Sequence, residues 1–216
     1  MYIGTDSVER LLANVSAKTT LLRCRKGRQI FTQGDPADAV YYIEKGIIKI
    51  TVGSAIGQEA ALMVLGPPNF FGERCLTARP SRTTTATAVE PSLLLRIPKG
   101  AMLAALEQHS ALAHHFMMAL LSRNEDLQDD FSAQLLHPSE KRLARTLLKL
   151  ARLETSGSGS EVKVRKVSHQ MLAEMIGTTR SHVTEFMIKF RKMGLIDYKK
   201  DLLIRTPLLA AMVEHD

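Results

Sequence analysis

The sequence predicts an α+β protein in which a β-rich N-terminal part precedes a long helix and a small C-terminal domain of helices and one hairpin. Three observations support this class. Short runs rich in Ile, Val, Tyr and Thr recur between residues 22 and 96, with Gly and Pro between them. Apolar residues at helical spacing return after Pro98. Residues 169–187 show two short apolar faces on either side of Gly177, as in two helices joined by a tight turn.

Composition and charge restrict the class of protein. The 216 residues contain no apolar run near the roughly 20 residues that a membrane helix needs. The N-terminus lacks the basic and apolar segments of a secretory signal, so we expect a cytoplasmic protein without a membrane partner. Residues 136–216 hold 15 Lys and Arg against 9 Asp and Glu, whereas residues 1–135 hold 14 against 13. This uneven excess favours a phosphate backbone as partner of the C-terminal domain, with a solvated basic surface as the alternative.

In chain order, the first expected element is a helix over residues 6–22, where apolar residues recur at helical spacing. Short strands separated by Gly and Pro turn signals follow, which indicates an antiparallel roll, barrel or sandwich. The predicted strands are residues 29–32, 39–43, 47–52, 60–64, 83–89 and 92–97.

A short helix is predicted over residues 99–109 and a long one over about 110–134. In the long helix, Leu120 and Leu127 lie seven residues apart. Met117, Asn124 and Phe131 interleave with them in a heptad seam, which suits a two-helix coiled coil. The alternative is a helix packed on its own sheet, but flanking acidic residues leave only a narrow apolar stripe and favour dimerisation. A lone Asn in the seam can fix the register.

The C-terminal part has the pattern of a winged helix-turn-helix. His137-Pro138 breaks the long helix, a new helix starts at Ser139, residues 155–160 form a flexible loop and residues 161–167 alternate like a strand. Ser168 can cap the first motif helix. Two short strands flank Lys199-Lys200 as a wing. Such a motif places its second helix in the DNA major groove, whereas a plain helical hairpin has no DNA role.

Four local motifs occur in a fixed order in the strand region. They are Lys26-Gly27, Gln33-Gly34-Asp35, Tyr41-Tyr42-Ile43 with Gly46, and Phe70-Phe71-Gly72-Glu73. Together with the long helix and the winged motif, this order resembles the Crp/Fnr family of bacterial transcription regulators over about residues 20–206. The resemblance implies a cyclic-nucleotide-binding-type β-roll as sensor domain at 1–109, a long dimerisation helix and hinge at 110–137, and a winged helix-turn-helix DNA-binding domain at 138–216.

The resemblance also implies a ligand site. In that family the Phe-Gly-Glu turn and a later arginine form a phosphate-binding cassette. The matching residues are Gly72, Glu73, Arg82 and Thr83. Arg82 offers a planar fork for a cyclic phosphate. In the family, two polar residues on the long helix hold the base, and the matching positions here are Leu127 and Gln128. Only Gln128 is polar, so Gln128 and Asn124, one turn earlier, are the candidates for that contact. The alternative is that the Phe-Gly-Glu turn is purely structural, that Arg82 lies on the surface and that neither binds a ligand.

The implied ligand is cyclic AMP or another cyclic nucleotide. The cysteine set of the iron–sulfur branch is absent, and Cys24 and Cys75 stand alone. The histidines do not form a metal set either, so we expect neither a metal ion nor an iron–sulfur cluster.

In the second motif helix, Arg180 aligns with an arginine that contacts guanine in the family, the commonest specific base contact. The family's usual Glu and a later Arg are Ser181 and Glu185 here. We therefore expect base and phosphate contacts from further polar residues of the turn, the second helix and the wing. The predicted DNA-binding residues are Thr178, Thr179, Arg180, Ser181, His182, Thr184, Lys189, Lys199 and Lys200.

The sequence is compatible with three functions to different degrees. The residues favour a homodimeric DNA-binding regulator that is switched by a small ligand and binds an inverted-repeat operator, with RNA polymerase as a further partner. A ligand-independent regulator of the same fold is the alternative. An enzyme is the least supported class, because the sequence shows no nucleophile–base pair, Walker loop or metal-ligand set.

Overall fold

The computed structural model of the chain describes residues 19–53, 59–154, 160–164, 167–198 and 201–214. The chain divides into two compact units, Met1–Leu127 and Gln128–Asp216. Strands dominate the first unit and helices the second, which confirms the predicted fold class. The predicted boundaries at residues 109 and 137 stay a prediction. Within the described ranges, no helix combines the length and apolarity that crossing a bilayer requires.

The described part of the first unit contains eight strands in two antiparallel four-stranded sheets, with the orders β1-β8-β3-β6 and β2-β7-β4-β5. The six strands predicted from the sequence are all present, within two residues at each end. The strands are β1 Thr20–Cys24, β2 Gln29–Phe31, β3 Ala39–Lys45, β4 Ile48–Gly53, β5 Glu59–Leu65, β6 Phe70–Phe71, β7 Thr85–Ala88 and β8 Ser92–Pro98.

The helix predicted over residues 6–22 is wrong at its C-terminal end, and residues 6–18 lie outside the described part of the chain. The end is strand β1, which pairs antiparallel with β8. Leu22 and Cys24 face the core while their neighbours are exposed. This alternation has the period of a strand, and pairing with β8 satisfies backbone groups that a short, isolated helical turn would leave open.

Strand β3 is buried on both faces and separates two cores. Tyr41 and Ile43 point into a core made by side chains of both sheets. Val40 and Tyr42 point into a second core, which includes Met102. Successive side chains of a strand point to opposite faces, so a run of five buried apolar residues needs cover on both sides.

Two helices provide that second cover, α1 Lys99–Gln108 and α2 Ser110–Leu136. Leu112 and Phe116 of α2 are buried in the second core, and Leu120 packs against it. Leu120 was expected in the coiled-coil seam, but its spacing of four residues from Phe116 places it on the face that covers β3.

The second unit contains a three-stranded antiparallel sheet in the order β10-β11-β9 among its described residues. The sequence did not predict its last helix, although Pro207 in the first helical turn is a common start signal. Strand β9 covers the first four of the predicted residues 161–167, and residues 165 and 166 lie outside the described part of the chain. The elements are α3 Ser139–Glu154, β9 Glu161–Val164, α4 His169–Ile176, α5 Arg180–Lys192, β10 Ile196–Tyr198, β11 Leu202–Arg205 and α6 Thr206–Glu214.

Local signals explain where α4 begins and ends. The Ser168 side chain accepts a hydrogen bond from the Met171 amide at 3.1 Å, which confirms the predicted cap. Gly177 ends the helix with φ 63° and ψ 50°, a left-handed conformation that favours glycine, and its amide donates to the Ala173 carbonyl. The predicted helix–turn–helix geometry is confirmed.

Replacing Ser168 with alanine should lower the free energy of unfolding of the second unit by about 1 kcal/mol, because the Met171 amide loses its acceptor. Chemical denaturation followed by circular dichroism measures this change. Ser132→Ala, on the exposed side of α2, is the matched control and should be close to neutral. Equal stability of both variants would contradict the capping role.

Candidate functional site

A cavity of about 260 Å³ in the first unit brings together the four predicted cassette residues Gly72, Glu73, Arg82 and Thr83. They reach it from the short 3₁₀ turn after β6 and from the segment before β7. The rest of the lining is largely apolar, with single further polar or charged groups. Those residues are Phe31, Ala37, Ile50, Leu62, Met63, Phe71, Arg74, Cys75, Thr84, Arg123 and Leu127.

Arg82 is held firmly at this cavity and is 6% exposed. Its guanidinium donates from Nη1 to the Gly72 carbonyl at 2.9 Å and from Nη2 to the Ala39 carbonyl at 2.7 Å. It also lies 4.3 Å from the centroid of the Phe31 ring. The predicted surface alternative for Arg82 is therefore wrong, since the side chain is buried and fully oriented by the β-roll.

The backbone around Arg82 explains its position. Its amide donates to the Asp35 carbonyl at 2.7 Å, and its carbonyl accepts from the Gly34 amide at 2.9 Å. The Thr32 amide closes this loop by donating to the Asp35 carboxylate, and that hydrogen bond lowers the pKa of Asp35. The Gln-Gly-Asp motif thus serves to fix the arginine.

Gly72 is required on two counts. Its φ of 76° lies in the left-handed region, and a Cβ there would come within 2.9 Å of Arg82 Nη1. A side chain would therefore push against the guanidinium that the turn has to accommodate.

Glu73 pairs with a residue that the sequence reading missed. Arg123 of α2 lies with Nη1 3.2 Å from Glu73 Oε2, and its Nη2 donates to the Phe70 carbonyl. Arg123 is 9% exposed. The signal was available, because Arg123 is the single Lys or Arg between residues 110 and 136 and lies four residues before Leu127, which also lines the cavity.

Arg82 Nε and Arg123 Nε are buried in the cavity lining and lack a hydrogen-bond partner within the described ranges. Glu73 Oε2 is also buried and accepts no hydrogen bond there, although it is ion-paired with Arg123 Nη1. Buried polar groups in native proteins are nearly always satisfied. These atoms make the cavity a candidate site for a polar ligand or an ordered water molecule.

Other polar groups are placed less favourably for a ligand. Asn124 and Gln128 are exposed, and neither belongs to the cavity lining. Their role in base contact stays a prediction. Burial raises the pKa of the Cys75 thiol, which keeps it protonated and unreactive. The described residues contain no group of three or more His, Cys, Asp or Glu that would hold a metal ion.

The helix-turn-helix forms the second candidate site. Val183, Met187 and Phe190 bury one face of α5. The rest of the helix surface is largely polar, and Arg180, Ser181 and His182 of the first turn are exposed. This is the end of a recognition helix that reaches base edges in proteins with this motif.

The remaining predicted DNA-binding residues differ in how they are held. Thr179 caps α5 by accepting from the His182 amide at 3.3 Å, and Thr178 lies 3.2 Å from His182 Nδ1. Lys189, which was predicted to contact DNA, is ion-paired with Glu140 of α3 at 2.8 Å. Thr184 is half-buried and hydrogen-bonded inside the unit. Lys199 and Lys200 lie outside the described residues.

A stripe of exposed side chains runs along α2 on another face from the one that covers β3. The spacing of its members alternates between three and four residues, as in a heptad seam. The stripe consists of Met117, Leu121, Asn124, Gln128, Phe131 and Leu135. Its apolar members are between 50% and 67% exposed, which is unusual for large side chains of a monomer.

Family models match most of the chain. Residues 21–109 match the cyclic nucleotide-binding domain, and residues 141–211 match the Crp-like helix-turn-helix domain.

Among curated proteins, the chain is 30% identical over 171 residues to the Cyclic AMP receptor protein of Thermus thermophilus, covering 79% of this chain and 76% of the relative. It is 32% identical over 189 residues to the Global nitrogen regulator of Synechococcus elongatus, covering 85% and 84%.

Solved structures show the same fold at lower identity. FixK2 from Bradyrhizobium japonicum aligns with a TM-score of 0.78 and 16% identity, over 92% of this chain and 98% of that one. The global regulator CLP of Xanthomonas campestris, described as responsive to c-di-GMP, aligns with a TM-score of 0.76 and 22% identity, over 91% and 98%.

Proposed function

Because the chain belongs to the Crp/Fnr family of transcriptional regulators, and is thus a DNA-binding regulator, we propose that it is a sequence-specific homodimer controlled by a small ligand in the β-roll. A cyclic nucleotide, with cyclic AMP as the first candidate, is the proposed ligand. We expect the protein to act in the cytoplasm together with RNA polymerase, and we assign it no catalytic role.

The observation that carries ligand control is a set of buried polar atoms at the cavity that make no hydrogen bond in the described part of the chain. They are two guanidinium Nε groups and Glu73 Oε2, which is ion-paired with Arg123. A cyclic phosphate and a ribose hydroxyl supply an acceptor for Arg82 and a donor for Glu73. The apolar lining suits the flat faces of a base.

A second candidate function is a ligand-independent regulator of the same fold. The hydrogen bonds of Arg82 to two backbone carbonyls favour it, because they give the arginine a structural task without any ligand. Equilibrium dialysis with cyclic AMP separates the two candidates. Saturable binding supports ligand control, and its absence at millimolar cyclic AMP and cyclic GMP supports the ligand-independent candidate.

The exposed stripe on α2 supports the homodimer. Two such helices in parallel would bury Met117, Leu121, Phe131 and Leu135 against their copies. Asn124 in the same stripe would fix the register of the pair. In such a dimer the stripe would be buried, and its exposure would apply only to the isolated chain.

Arg142 of α3 supports a role of the hinge in the switch. It donates to the His137 carbonyl at 3.1 Å, to the Ser139 hydroxyl at 3.2 Å and to the Ile176 carbonyl at 3.0 Å. One side chain therefore ties the segment after α2 to the end of α4. Movement of the hinge is transmitted to the DNA-binding motif through these bonds, and a ligand shifts the equilibrium only by its differential affinity for the two arrangements.

Selection from a random library of DNA duplexes tests sequence-specific reading by a dimer. The expected result is an enriched inverted repeat with half-sites about one helical turn apart. Sedimentation should give a species of twice 23.9 kDa. An asymmetric enriched site bound by a single chain would contradict the dimer, and a library without enrichment would contradict sequence-specific reading.

A further inference from the structure

A hydrogen-bond chain joins the three elements of the DNA-binding motif. His169, the first residue of α4, lies between Thr184 of α5 and Tyr198 at the end of β10. Its Nδ1 is 2.8 Å from Thr184 Oγ1, and its Nε2 is 3.1 Å from Tyr198 Oη. All three side chains are half-buried. One imidazole thus bridges the recognition helix and the strand that leads into the wing.

The direction of this chain follows from the donors that each group has. The Thr184 hydroxyl donates its one hydrogen to the Arg180 carbonyl at 3.0 Å. Thr184 Oγ1 must therefore accept from His169, which places the imidazole proton on Nδ1. Nε2 of the neutral imidazole is then an acceptor, and the Tyr198 hydroxyl is its donor.

The surroundings of Tyr198 keep that donor in place. Burial raises the pKa of Tyr198 to about 12, and the nearby Arg191 charge lowers it by a smaller amount. The phenol is therefore protonated throughout the neutral range. The Tyr198 and His169 rings also lie close, with centroids 6.3 Å apart.

We propose that His169 is a positioning residue for DNA reading, which holds the wing strand and the recognition helix in one relation through the chain from Tyr198 to the Arg180 carbonyl. This proposal rests on the proposed sequence-specific reading by Arg180. It gives Thr184, which was expected to contact DNA, a role behind the reading face.

The position of the last link explains why reading depends on it. The chain ends on the backbone of Arg180, in the first turn of α5, where side chains meet base edges. The side chain of a base reader has to be placed accurately, because a bidentate contact with guanine tolerates little displacement. Wing and helix approach the same duplex, so a fixed relation between them favours one register on the DNA.

The test uses the full chain and the duplex that the wild-type protein selects from a random library. Tyr198→Phe removes one oxygen and keeps the ring, and Tyr41→Phe in the β-roll is the matched control. Affinity is measured for the selected duplex and for the same duplex with the base pair read by Arg180 exchanged. We expect Tyr198→Phe to lower the ratio of these two affinities by about two- to tenfold, the value of one hydrogen bond.

His169→Ala and the double variant complete a cycle. If the three residues act as one chain, the losses in discrimination are not additive, and Tyr198→Phe adds nothing once His169 is gone. A purely structural role would lower thermal stability without changing the ratio of affinities. That result, or additive losses, would overturn the proposal.

A spectroscopic measurement covers the case in which His169→Ala does not fold. Nitrogen-15 NMR of histidine-labelled wild-type protein should show His169 as the tautomer protonated at Nδ1, and the Nε2 tautomer would overturn the proposed direction. If the wild-type protein binds all duplexes equally, sequence-specific reading fails and this proposal fails with it. If the wild type discriminates and Tyr198→Phe does so equally well, only the positioning role fails.

Discussion

Replacement of Arg82 by alanine should lower the free energy of unfolding of the β-roll by about 2–4 kcal/mol and abolish binding of cyclic AMP. The loss of stability follows from the hydrogen bonds that the guanidinium donates to the carbonyls of Gly72 and Ala39, the second of them fully buried, which alanine cannot replace. The loss of binding follows from removal of the guanidinium that faces the proposed phosphate. Denaturant titration measures the first effect, and equilibrium dialysis at low temperature measures the second.

Arg79→Ala is the matched control, since Arg79 is exposed in the same loop region and should change neither quantity. If Arg82→Ala does not fold, Glu73→Gln tests the pocket instead, because it keeps the size of the side chain and removes the charge that pairs with Arg123. Retained binding of cyclic AMP in folded Arg82→Ala would contradict the phosphate role. Unchanged stability would contradict the structural one.

Replacement of Arg180 by alanine should weaken binding to the selected operator by about 1–3 kcal/mol and relax the preference at one base pair. Arg180 is exposed in the first turn of α5, where its fork can meet O6 and N7 of a guanine. Fluorescence anisotropy with the selected duplex and its three single-base variants measures both effects.

Lys192→Ala is the matched control for charge, because Lys192 lies in the last turn of the same helix. It should weaken all duplexes alike and reduce the salt dependence of binding, as expected for a phosphate contact. If Arg180→Ala weakens the affinity for all duplexes equally, Arg180 contacts phosphate, as expected for Lys192, and does not read a base pair.

The elements that could be predicted are those with strong local signals. Ser168 and Gly177 bracket α4 through a cap and a left-handed turn that need only neighbouring residues. The strands of the β-roll have period-two runs with Gly and Pro between them. The prediction was wrong for strand β1, because its few apolar residues also fit a helical period. Its pairing with β8 is a contact between distant segments, which the local sequence does not show.

The residues of the ligand cavity could be predicted only where they belong to a local sequence motif. Arg82 and Glu73 belong to a recognisable motif, and the structure brings both to one cavity. Their partners were not predictable: the carbonyls that orient Arg82 and the pairing of Glu73 with Arg123 depend on how distant segments pack. The same holds for the bridge between Thr184 and Tyr198, which no sequence spacing indicates.

The affinity for the selected operator, measured at fixed salt with and without saturating cyclic AMP, tests ligand control most directly. Control through the cavity predicts a change of at least about fivefold, absent in Arg82→Ala, and the operator must change the affinity for cyclic AMP by the same factor. Equal operator affinity with and without cyclic AMP, in a protein that binds the nucleotide, would contradict ligand control.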